Sequence, residues 1–452
     1  MMKEDKPKKF GLKSPLNAQF ELTFACPSLC SHCYNYWRYL EEKEMVKIEK
    51  ELGPHHFLSI ADKIAEAEIF SITLTGGEPL LRRDILYGVI ERLNSKNVET
   101  NINSNLMLIT DEDLARMESL QVGGFLTSFH TYDEEKFDKI SNLNGAFRKT
   151  IRGISLVRRN KRNPSTNMVV SQINKGDVYQ TGKFLYSNFG IKRFSATPIN
   201  PCTNAKAHLD MRLSKEETIE TLEDLVRLEQ DLGISTEVLE PIPYCLIYDN
   251  PSFEKFMKKT CTAGKSTIAI DPTANVRACI HLTKNYGSLL EESLEDIWGR
   301  MAEWRQSGYY PDECKSCSVI DKCKGACRSE AESVYGDITS RPPLMTSPLD
   351  TKLESTHQNT EISLKGFDNS YLTTNNVRYR KEHGGYILFS PSKKYLFLNQ
   401  GEFEALTELT EKQTFKLSDL LPNTDQNDHK ITNFLKKMVG ANIIVPKEEK
   451  IK

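Results

Sequence analysis

The sequence predicts an α/β protein, with a partial (β/α)6 TIM-like barrel followed by a cysteine-rich domain and a small α+β domain. Three observations predict this. Six strand-like runs alternate with amphipathic helical stretches in the first half of the chain, as in parallel strands joined by crossovers. Nine of the eleven cysteines fall in two groups, residues 26–33 and 261–327. Three short strand-like runs followed by helices come near the end of the chain.

Length and charge limit the class of protein. The 452 residues allow two or three domains, and no window reaches the apolar length that crosses a membrane. The 60 basic residues nearly balance the 62 acidic ones, so no overall field favours nucleic acid or anionic lipid. Without a secretory signal peptide, eleven cysteines predict metal binding rather than disulfides. We therefore expect a cytoplasmic protein that binds neither nucleic acid nor membranes.

The first predicted strand, residues 18–24, leads directly into three cysteines spaced CxxxCxxC, which are Cys26, Cys30 and Cys33. A loop of this length can turn three thiolates inward, which suits three corners of a cubane iron–sulfur cluster and leaves its fourth iron without a protein ligand. The alternative is a disulfide with a spare thiol, which is uncommon in the cytosol.

An amphipathic helix and a second strand come next. The apolar face of the helix carries Phe57, Ile60, Ala61 and Ile64. The strand, residues 70–74, runs into a turn that contains Gly76, Gly77, Glu78 and Pro79. The two glycines let the backbone approach a ligand closely, although a glycine pair alone also fits an ordinary turn between a strand and a helix.

Four further strands complete the predicted barrel, over residues 98–102, 124–129, 168–171 and 193–197. The active site of such a barrel lies at the carboxyl ends of its strands. The polar or thiol residues at those ends are Ser104, Asn105, Ser128, Asn174 and Cys202. Each of them also fits a role as a turn or capping residue.

The cysteine loop closely resembles the cluster loop of the radical S-adenosylmethionine (SAM) enzymes, and the GGEP run matches the SAM-binding run of that family. In the family, SAM chelates the open iron, and the reduced cluster cleaves SAM to a 5′-deoxyadenosyl radical. The resemblance implies that Cys26, Cys30 and Cys33 ligate a 4Fe-4S cluster. His32 stands where the family usually has an aromatic residue. The residues that the resemblance places around SAM are His32, Gly76, Gly77, Glu78, Pro79, Ser104, Asn105 and Ser128. By likeness to peptide epimerases of the superfamily, Cys202 is a hydrogen-atom donor or else an idle thiol.

The second cysteine group contains Cys261 and Cys279, and then the run Cys314-x2-Cys317-x5-Cys323-x3-Cys327. Structural zinc, which takes four thiolates, is one interpretation. Downstream of a radical SAM loop, the segment resembles the SPASM domain of peptide-modifying radical SAM enzymes, which holds up to two auxiliary iron–sulfur clusters. The resemblance implies that Cys261, Cys279 and Cys327 bind the first auxiliary cluster, and that Cys314, Cys317 and Cys323 bind the second.

The segment departs from the SPASM pattern at two places. Ala274 stands where the family has a glycine, and the last cysteine of the pattern is absent. The second set therefore has an oxygen ligand such as Asp337, an open iron or no cluster. Cys245 is a candidate for the fourth corner of the first set, and it fits equally well as a buried cysteine without a ligand.

The C-terminal segment follows a polar linker. Its predicted strands cover residues 377–380, 386–389 and 395–398, and its clearest helix has Ile431, Phe434, Leu435 and Met438 on one face. This order resembles the RiPP recognition element, a small winged-helix domain of the coenzyme-PQQ synthesis protein D-like type. In that family the leader peptide adds a strand to the edge of the sheet. A generic winged helix that binds nucleic acid is the alternative.

The expected domains are a tail (1–14), the barrel (15–240), the SPASM domain (241–345), a linker (346–372) and the winged helix (373–452). The resemblance implies an enzyme that modifies a ribosomal precursor peptide through a 5′-deoxyadenosyl radical, with oxidative thioether or carbon–carbon cross-linking as the leading outcome. Backbone excision of a tyramine unit, epimerisation and formylglycine formation are the alternatives, and an iron–sulfur regulator that binds DNA is a non-enzymatic one. The resemblance also implies flavodoxin or ferredoxin as the electron donor.

Overall fold

The structure is a computed structural model, and it describes residues 11–35, 51–201, 206–306, 308–350, 371–373, 377–390, 392–412, 414–415 and 429–446. The chain divides into two compact units. The larger is Ser14–Lys352, and the smaller combines Met1–Lys13 with Leu353–Lys452. In the described part of the chain, no helix is both long enough and apolar enough to cross a membrane.

The larger unit is built on a ten-stranded sheet, seven strands of which pair in parallel and in chain order. These strands are β1 Asn17–Glu21, β2 Ser71–Thr75, β3 Glu99–Asn103, β4 Phe125–Ser128, β5 Ser165–Val170, β6 Arg193–Pro198 and β7 Ser235–Glu237. The predicted α/β class with a parallel partial barrel is confirmed. The sequence did not predict β7, because it has only three residues and no apolar alternation.

Helices connect these strands as crossovers. They are α1 Pro54–Glu66, α2 Arg83–Asn94, α3 Asp111–Ser119, α4 Glu134–Ser141, α5 Ala146–Arg159, α6 Val178–Phe189, α7 Lys206–Leu209 and α8 Lys215–Leu232. The four apolar residues predicted for α1 are all buried. Local sequence fixes the ends of α8, which begins with a capping box between Ser214 and Glu217 and ends at the left-handed Gly233.

The cysteine-rich segment continues the barrel sheet. Its strands are β8 Thr267–Ile270, β9 Asn275–Arg277 and β10 Asn285–Ser288. Strand β8 pairs in parallel with β1, and β9 and β10 follow as antiparallel neighbours. Ala274, in the turn between β8 and β9, has φ of 70°, so the turn keeps the left-handed residue for which the family uses glycine. The pairing of β8 with β1 brings this segment beside the strand that precedes the first cysteine loop.

Short helices complete the cysteine-rich segment. They are α9 Tyr244–Ile247, α10 Leu294–Arg300, α11 Ala302–Arg305, α12 Ile320–Cys323 and α13 Arg328–Tyr335. A 3-10 turn covers Asp312–Cys314. Beyond them, Leu349 accepts hydrogen bonds from the backbone and the hydroxyl of Ser318. The start of the predicted linker therefore lies against this segment, whereas residues 351–370 are outside the described part.

A buried ion pair joins the barrel to the cysteine-rich segment. Glu21 ends β1 and Arg277 ends β9, and each side chain is only 1% exposed. Arg277 also donates to the carbonyls of Ile280 and Leu282, at 2.9 and 3.0 Å. Burial raises the pKa of Glu21 to about 7, although Arg277 acts to lower it. Arg277 thereby holds the backbone on both sides of His281, two residues beyond Cys279.

In its described residues, the smaller unit has two three-stranded antiparallel sheets and two helices. Its strands are β11 Tyr371–Thr373, β12 Arg378–Glu382, β13 Gly385–Phe389, β14 Tyr395–Leu398, β15 Thr414–Phe415 and β16 Ile444–Pro446. The sheet orders are β15-β11-β16 and β12-β13-β14. Helix α14 covers Gln400–Lys412 and helix α15 covers His429–Gly440.

The core of the smaller unit confirms the predicted helix face in part. Phe434, Leu435 and Met438 are buried against Leu388 and Leu398 of the second sheet. The side chain of Ile431, which was predicted on the same face, is outside the described part of the chain. The three predicted strands are present as β12, β13 and β14, with bounds that differ from the prediction by at most two residues.

Candidate iron–sulfur and SAM site

A cavity of about 620 Å³ is lined by strands of the barrel and by the loops at their carboxyl ends. Six of the predicted metal ligands line it. From the first loop these are Cys26, Cys30 and Cys33, and from the second group Cys261, Cys279 and Cys327. The cavity is also lined by the predicted SAM-binding residues His32, Gly76, Gly77, Ser104, Asn105 and Ser128. The fold therefore collects residues that are more than 290 positions apart in the sequence around one space.

The first cysteine loop is held by contacts from neighbouring elements. Leu29 and Ser31 donate backbone hydrogen bonds to the last turn of α4, at 3.1 and 2.9 Å. Polar groups also approach the sulfurs. The Cys26 sulfur lies 3.7 Å from the Asn105 side-chain nitrogen, and the Cys30 sulfur lies 3.7 Å from Nε2 of His130. Hydrogen bonds to ligand sulfurs are one means by which proteins set the reduction potential of a cluster.

The two glycines after β2 lie directly against the chain that enters this loop. Gly77 donates to the carbonyl of Thr23 at 2.7 Å, and Glu78 donates to the carbonyl of Ala25 at 2.8 Å. A Cβ on Gly77 would lie 2.0 Å from the Ala25 oxygen, and one on Gly76 would lie 2.5 Å from the Thr23 oxygen. Gly76 also has φ of 127°. Only glycine fits at these two positions.

Glu78 does not line the cavity, and its side chain is completely buried. The carboxylate accepts hydrogen bonds from the Ser104 hydroxyl at 2.8 Å, from the Asn105 backbone at 2.9 Å and from the Leu80 backbone at 3.1 Å. Burial raises the pKa of Glu78 to about 7, while these hydrogen bonds act to lower it. Glu78 therefore ties the turn after β2 to the turn after β3. The adjoining Pro79 is also buried, at the start of a 3-10 turn.

Two histidines beside the first cysteine loop are uncharged at neutral pH. Burial lowers the pKa of His32 to about 4, with a further contribution from His208, and it lowers the pKa of His130 well below its usual value. The rings of His32 and His130 are 4.7 Å apart. A neutral imidazole at position 32 can provide the flat surface that the family obtains from an aromatic residue.

The residues around the cavity fit a bound cluster with SAM. Three buried polar atoms in its lining, Asn35 Oδ1, His130 Nδ1 and Asn200 Oδ1, have no hydrogen-bond partner among the described residues. Buried polar atoms are normally paired, so these atoms are suited to a polar ligand. The glycine cradle and the three thiols of the first loop complete such a site.

The first auxiliary set, Cys261, Cys279 and Cys327, is accompanied by a carboxylate and an imidazole. Glu240 Oε2 lies 3.4 Å from the Cys327 sulfur, and Glu240 Oε1 lies 3.3 Å from His281 Nδ1. Burial raises the pKa of the Cys279 thiol to about 12, with further increases from Glu240 and Cys261. Glu240 and His281 line the cavity but were missed in the sequence. The position of Glu240 just beyond β7 would have been the signal, had that strand been predicted.

The second auxiliary set contains four cysteines. Cys314, Cys317 and Cys323 share a small pocket with Cys245, outside the barrel cavity. Burial raises the pKa of Cys314 to about 11, and Cys323, Cys245 and Cys317 add to the increase. The sequence left Cys245 either as a fourth ligand of the first set or as a cysteine without a ligand, whereas the structure places it beside the second set. Asp337, the proposed oxygen ligand, does not line this pocket, and its carboxylate accepts hydrogen bonds from Thr339 at 2.9 and 2.7 Å.

Sulfur spacing bears on the zinc interpretation. Tetrahedral zinc with Zn–S bonds of about 2.3 Å would bring its sulfurs to roughly 3.8 Å from one another. Among the residues that the structure describes, Cys30, His32 and His130 form the one group of three potential ligands whose atoms all lie within 4.8 Å. By this measure, neither auxiliary set in the described residues is as compact as a closed zinc site. Cys202 lies outside the described residues, so its position in the site is not described.

Family comparisons agree with this arrangement. The model of the radical SAM superfamily matches residues 20–185, and that of the SPASM iron–sulfur cluster-binding domain matches residues 261–318. The chain therefore contains a radical SAM domain and a SPASM domain. The expected family is thereby confirmed, as are its cofactors, a 4Fe-4S cluster, SAM and auxiliary iron–sulfur clusters. The particular type of the C-terminal domain is not confirmed by these comparisons.

Curated relatives of this radical SAM protein include two kinds of enzyme. The PqqA peptide cyclase of Granulibacter bethesdensis is 24% identical over 342 residues, which cover 74% of this chain and 87% of the relative. The AdoMet-dependent heme synthase of Nitratidesulfovibrio vulgaris is 23% identical over 340 residues, which cover 72% of this chain and 90% of the relative.

Solved structures share the fold. Streptococcus suis SuiB bound to S-adenosylmethionine has a TM-score of 0.59 at 15% identity, and the match covers 74% of this chain and 78% of SuiB. SuiB bound to the precursor peptide SuiA has a TM-score of 0.57 at 16% identity, and that match covers 73% of this chain and 75% of SuiB. At these identities the likeness is one of fold.

Proposed function

We propose that this radical SAM protein introduces an oxidative cross-link, as a thioether or a carbon–carbon bond, into a ribosomally synthesised precursor peptide. The observation that carries the proposal is the single cavity shared by the first cysteine loop and the first auxiliary set. A substrate in that cavity would lie between the site of radical formation and an electron acceptor. The peptide cyclase relatives, and SuiB with its precursor peptide, support a peptide as the substrate.

The residues of the cavity have separate parts in this proposal. Cys26, Cys30 and Cys33 would hold the first cluster. The backbone of Gly76 and Gly77, with Ser104, Asn105, Ser128 and the ring of His32, would hold SAM. Glu78 is a positioning residue, because its buried carboxylate fixes the turn that carries Ser104 and Asn105. When bound, SAM and its cluster supply a 5′-deoxyadenosyl radical, and auxiliary clusters supply an acceptor for the electron that oxidation releases.

We further propose that the smaller unit binds the leader of the precursor. Among the described residues, β12 and β14 are the outer strands of the sheet β12-β13-β14, and leader peptides of this kind add as a further strand to such a sheet. An aromatic cluster lies on this sheet. Tyr379 on β12 is 59% exposed, its ring lies 4.7 Å from that of Phe403, and Phe403 stacks on Tyr386 at 3.7 Å. Exposed aromatic side chains of this kind commonly anchor peptides.

Mass spectrometry tests the reaction. Anaerobically reconstituted protein would be given SAM, dithionite and each short precursor-like peptide encoded beside its gene. A peptide that loses two hydrogens while 5′-deoxyadenosine forms would support cross-linking. Loss of a residue fragment would indicate excision instead, and an unchanged mass with deuterium uptake from solvent would indicate epimerisation. If no 5′-deoxyadenosine forms although iron analysis shows full cluster loading, radical catalysis is refuted.

A binding measurement tests the role of the smaller unit. We expect Tyr379→Ala to weaken binding of the labelled precursor about tenfold, because a central aromatic anchor contributes more than about 1 kcal/mol. Tyr186→Ala is the matched control, since Tyr186 is 37% exposed on α6 of the larger unit. Equal affinities of both variants and the wild type would contradict leader binding at this sheet. The proposal also includes a flavodoxin or ferredoxin as the electron donor and a cytoplasmic location, where cysteines remain reduced and able to bind clusters.

A further inference from the structure

The four cysteines of the second set come from four separate places in the chain. Cys245 lies in the short helix α9, Cys314 ends a 3-10 turn, and Cys323 ends α12. Cys317 lies in the turn between the last two elements. All four line one pocket whose other walls are largely apolar, formed by residues such as Val319, Ile320, Pro342 and Met345. Arg328 acts electrostatically on Cys314 and Cys323 but does not line the pocket. Four thiols gathered in one largely apolar pocket are a ligand set typical of a bound metal centre.

The neighbours of each cysteine separate the two sets. Cys314 interacts electrostatically with Cys323, Cys245 and Cys317, and Cys323 also interacts with Cys245. In the first set, Cys279 and Cys327 each interact electrostatically with Cys261 and Glu240. The seven cysteines of this part of the chain thus divide into a group of four and a group of three.

Backbone groups also fit the second set to a thiolate-bound centre. Residues 324–326, directly after Cys323, all have left-handed backbone, and the Ala326 amide donates to the Cys323 carbonyl at 3.3 Å. On the opposite side, the Leu349 amide donates to the Cys317 sulfur at 3.4 Å, and the Thr346 hydroxyl donates to the carbonyl of Cys245 at 2.7 Å. N–H donors around ligand sulfurs are typical of iron–sulfur sites.

We infer that Cys245 replaces the missing last cysteine of the SPASM pattern and completes a four-thiolate site with Cys314, Cys317 and Cys323. A 4Fe-4S cluster in this site has a protein ligand on every iron. It can pass electrons but has no open iron for a substrate. The first set, with three thiolates beside Glu240, is then the auxiliary site able to accept a further ligand from the cavity. This assignment holds whatever substrate the enzyme modifies.

Iron counting in reconstituted full-length protein tests the assignment. Three cubanes contain about 12 iron atoms per chain. We expect Cys245→Ala to lose between one and about four iron atoms per chain, and we expect the same range for Cys314→Ala. Because both cysteines would bind one cluster, the double variant should lose no more than about four. When Cys245→Ala is combined with Cys261→Ala, the iron losses of the two single variants should add, because Cys261 belongs to the other cluster.

Spectroscopy provides the second measurement. Cys245→Ser keeps the size of the side chain and offers an oxygen ligand, so it should retain the iron but change the electron paramagnetic resonance spectrum of the reduced protein. Ser155→Ala, at an exposed position on α5 that lines neither the cavity nor the four-cysteine pocket, is the control. Wild-type iron content and an unchanged spectrum in both Cys245 variants would overturn the assignment. The assignment would also be overturned if the iron loss of Cys245→Ala added to that of Cys314→Ala but not to that of Cys261→Ala. Cys245 would then belong to the first set.

Discussion

The substitution Gly77→Ala tests whether the turn after β2 fixes the position of the first cysteine loop. A methyl group at this position would lie 2.0 Å from the carbonyl oxygen of Ala25 and 2.5 Å from its carbonyl carbon. An ordinary contact between such atoms is at least about 3.0 Å, so the two backbones must separate by about 1 Å. Both are backbone, and neither can move aside by a change of rotamer.

The required shift falls on the residue next to Cys26. It would stretch the hydrogen bonds from Gly77 to Thr23 and from Glu78 to Ala25, which are 2.7 and 2.8 Å long. Each such bond stabilises the fold by about 0.5–1.5 kcal/mol. A displacement of about 1 Å in a reacting geometry can reduce a rate by roughly 100-fold. We therefore expect SAM cleavage to fall about 100-fold, even in protein that still assembles its clusters.

The assay is the rate of 5′-deoxyadenosine formation from SAM and dithionite without peptide, divided by the iron content of each preparation. Gly299→Ala is the matched control. Gly299 lies within α10, and an added Cβ there would meet no atom within 4 Å. A Gly77→Ala variant that cleaves SAM within about threefold of the wild-type rate would refute the proposed coupling between the turn and the loop.

Four further predictions concern buried charges and Cys202. The substitution Glu78→Gln turns a side-chain amide N–H toward a buried backbone N–H, at a cost of about 1–3 kcal/mol. Calorimetry should therefore show that this variant binds SAM about tenfold more weakly than the wild type. The control variant Glu91→Gln, at an exposed position, should bind SAM normally. Because the folded pKa of Glu78 is raised to about 7, folded protein retains a proton that unfolded chain releases above about pH 4.5. Wild type should thus lose thermal stability relative to Glu78→Gln as the pH rises from about 4.5 to about 7, and parallel curves would count against the raised pKa. The substitution Arg277→Met leaves the Glu21 carboxylate without its ion-pair partner, which should lower the free energy of unfolding by about 3–5 kcal/mol. Adding Glu21→Gln should restore most of the melting temperature. A double variant as unstable as Arg277→Met alone would exclude the pairing. Cys202→Ala should keep peptide modification if the product is a cross-link, and loss of activity with full iron content would favour epimerisation instead.

Local patterns in the sequence were enough for the barrel and for the first cysteine loop. The four apolar positions of α1 are buried as predicted, because helical periodicity depends only on residues three and four apart. The six predicted strands are present, because each is an apolar run ended by a turn. The spacing of Cys26, Cys30 and Cys33 likewise predicts three cluster ligands from only eight consecutive residues.

The partners of single side chains were decided by the tertiary structure. Cys245 joins Cys314 although about 70 residues separate them, and the pairing of Glu21 with Arg277 spans 256 residues. Glu78 was expected beside SAM, but its carboxylate is occupied by groups from the turn after β3. The sequence by itself determined which residue types were available and where each strand and loop formed. Only the packing of those elements decided which thiols share a cluster and which charges are buried together, because these contacts depend on distances that sequence spacing does not encode.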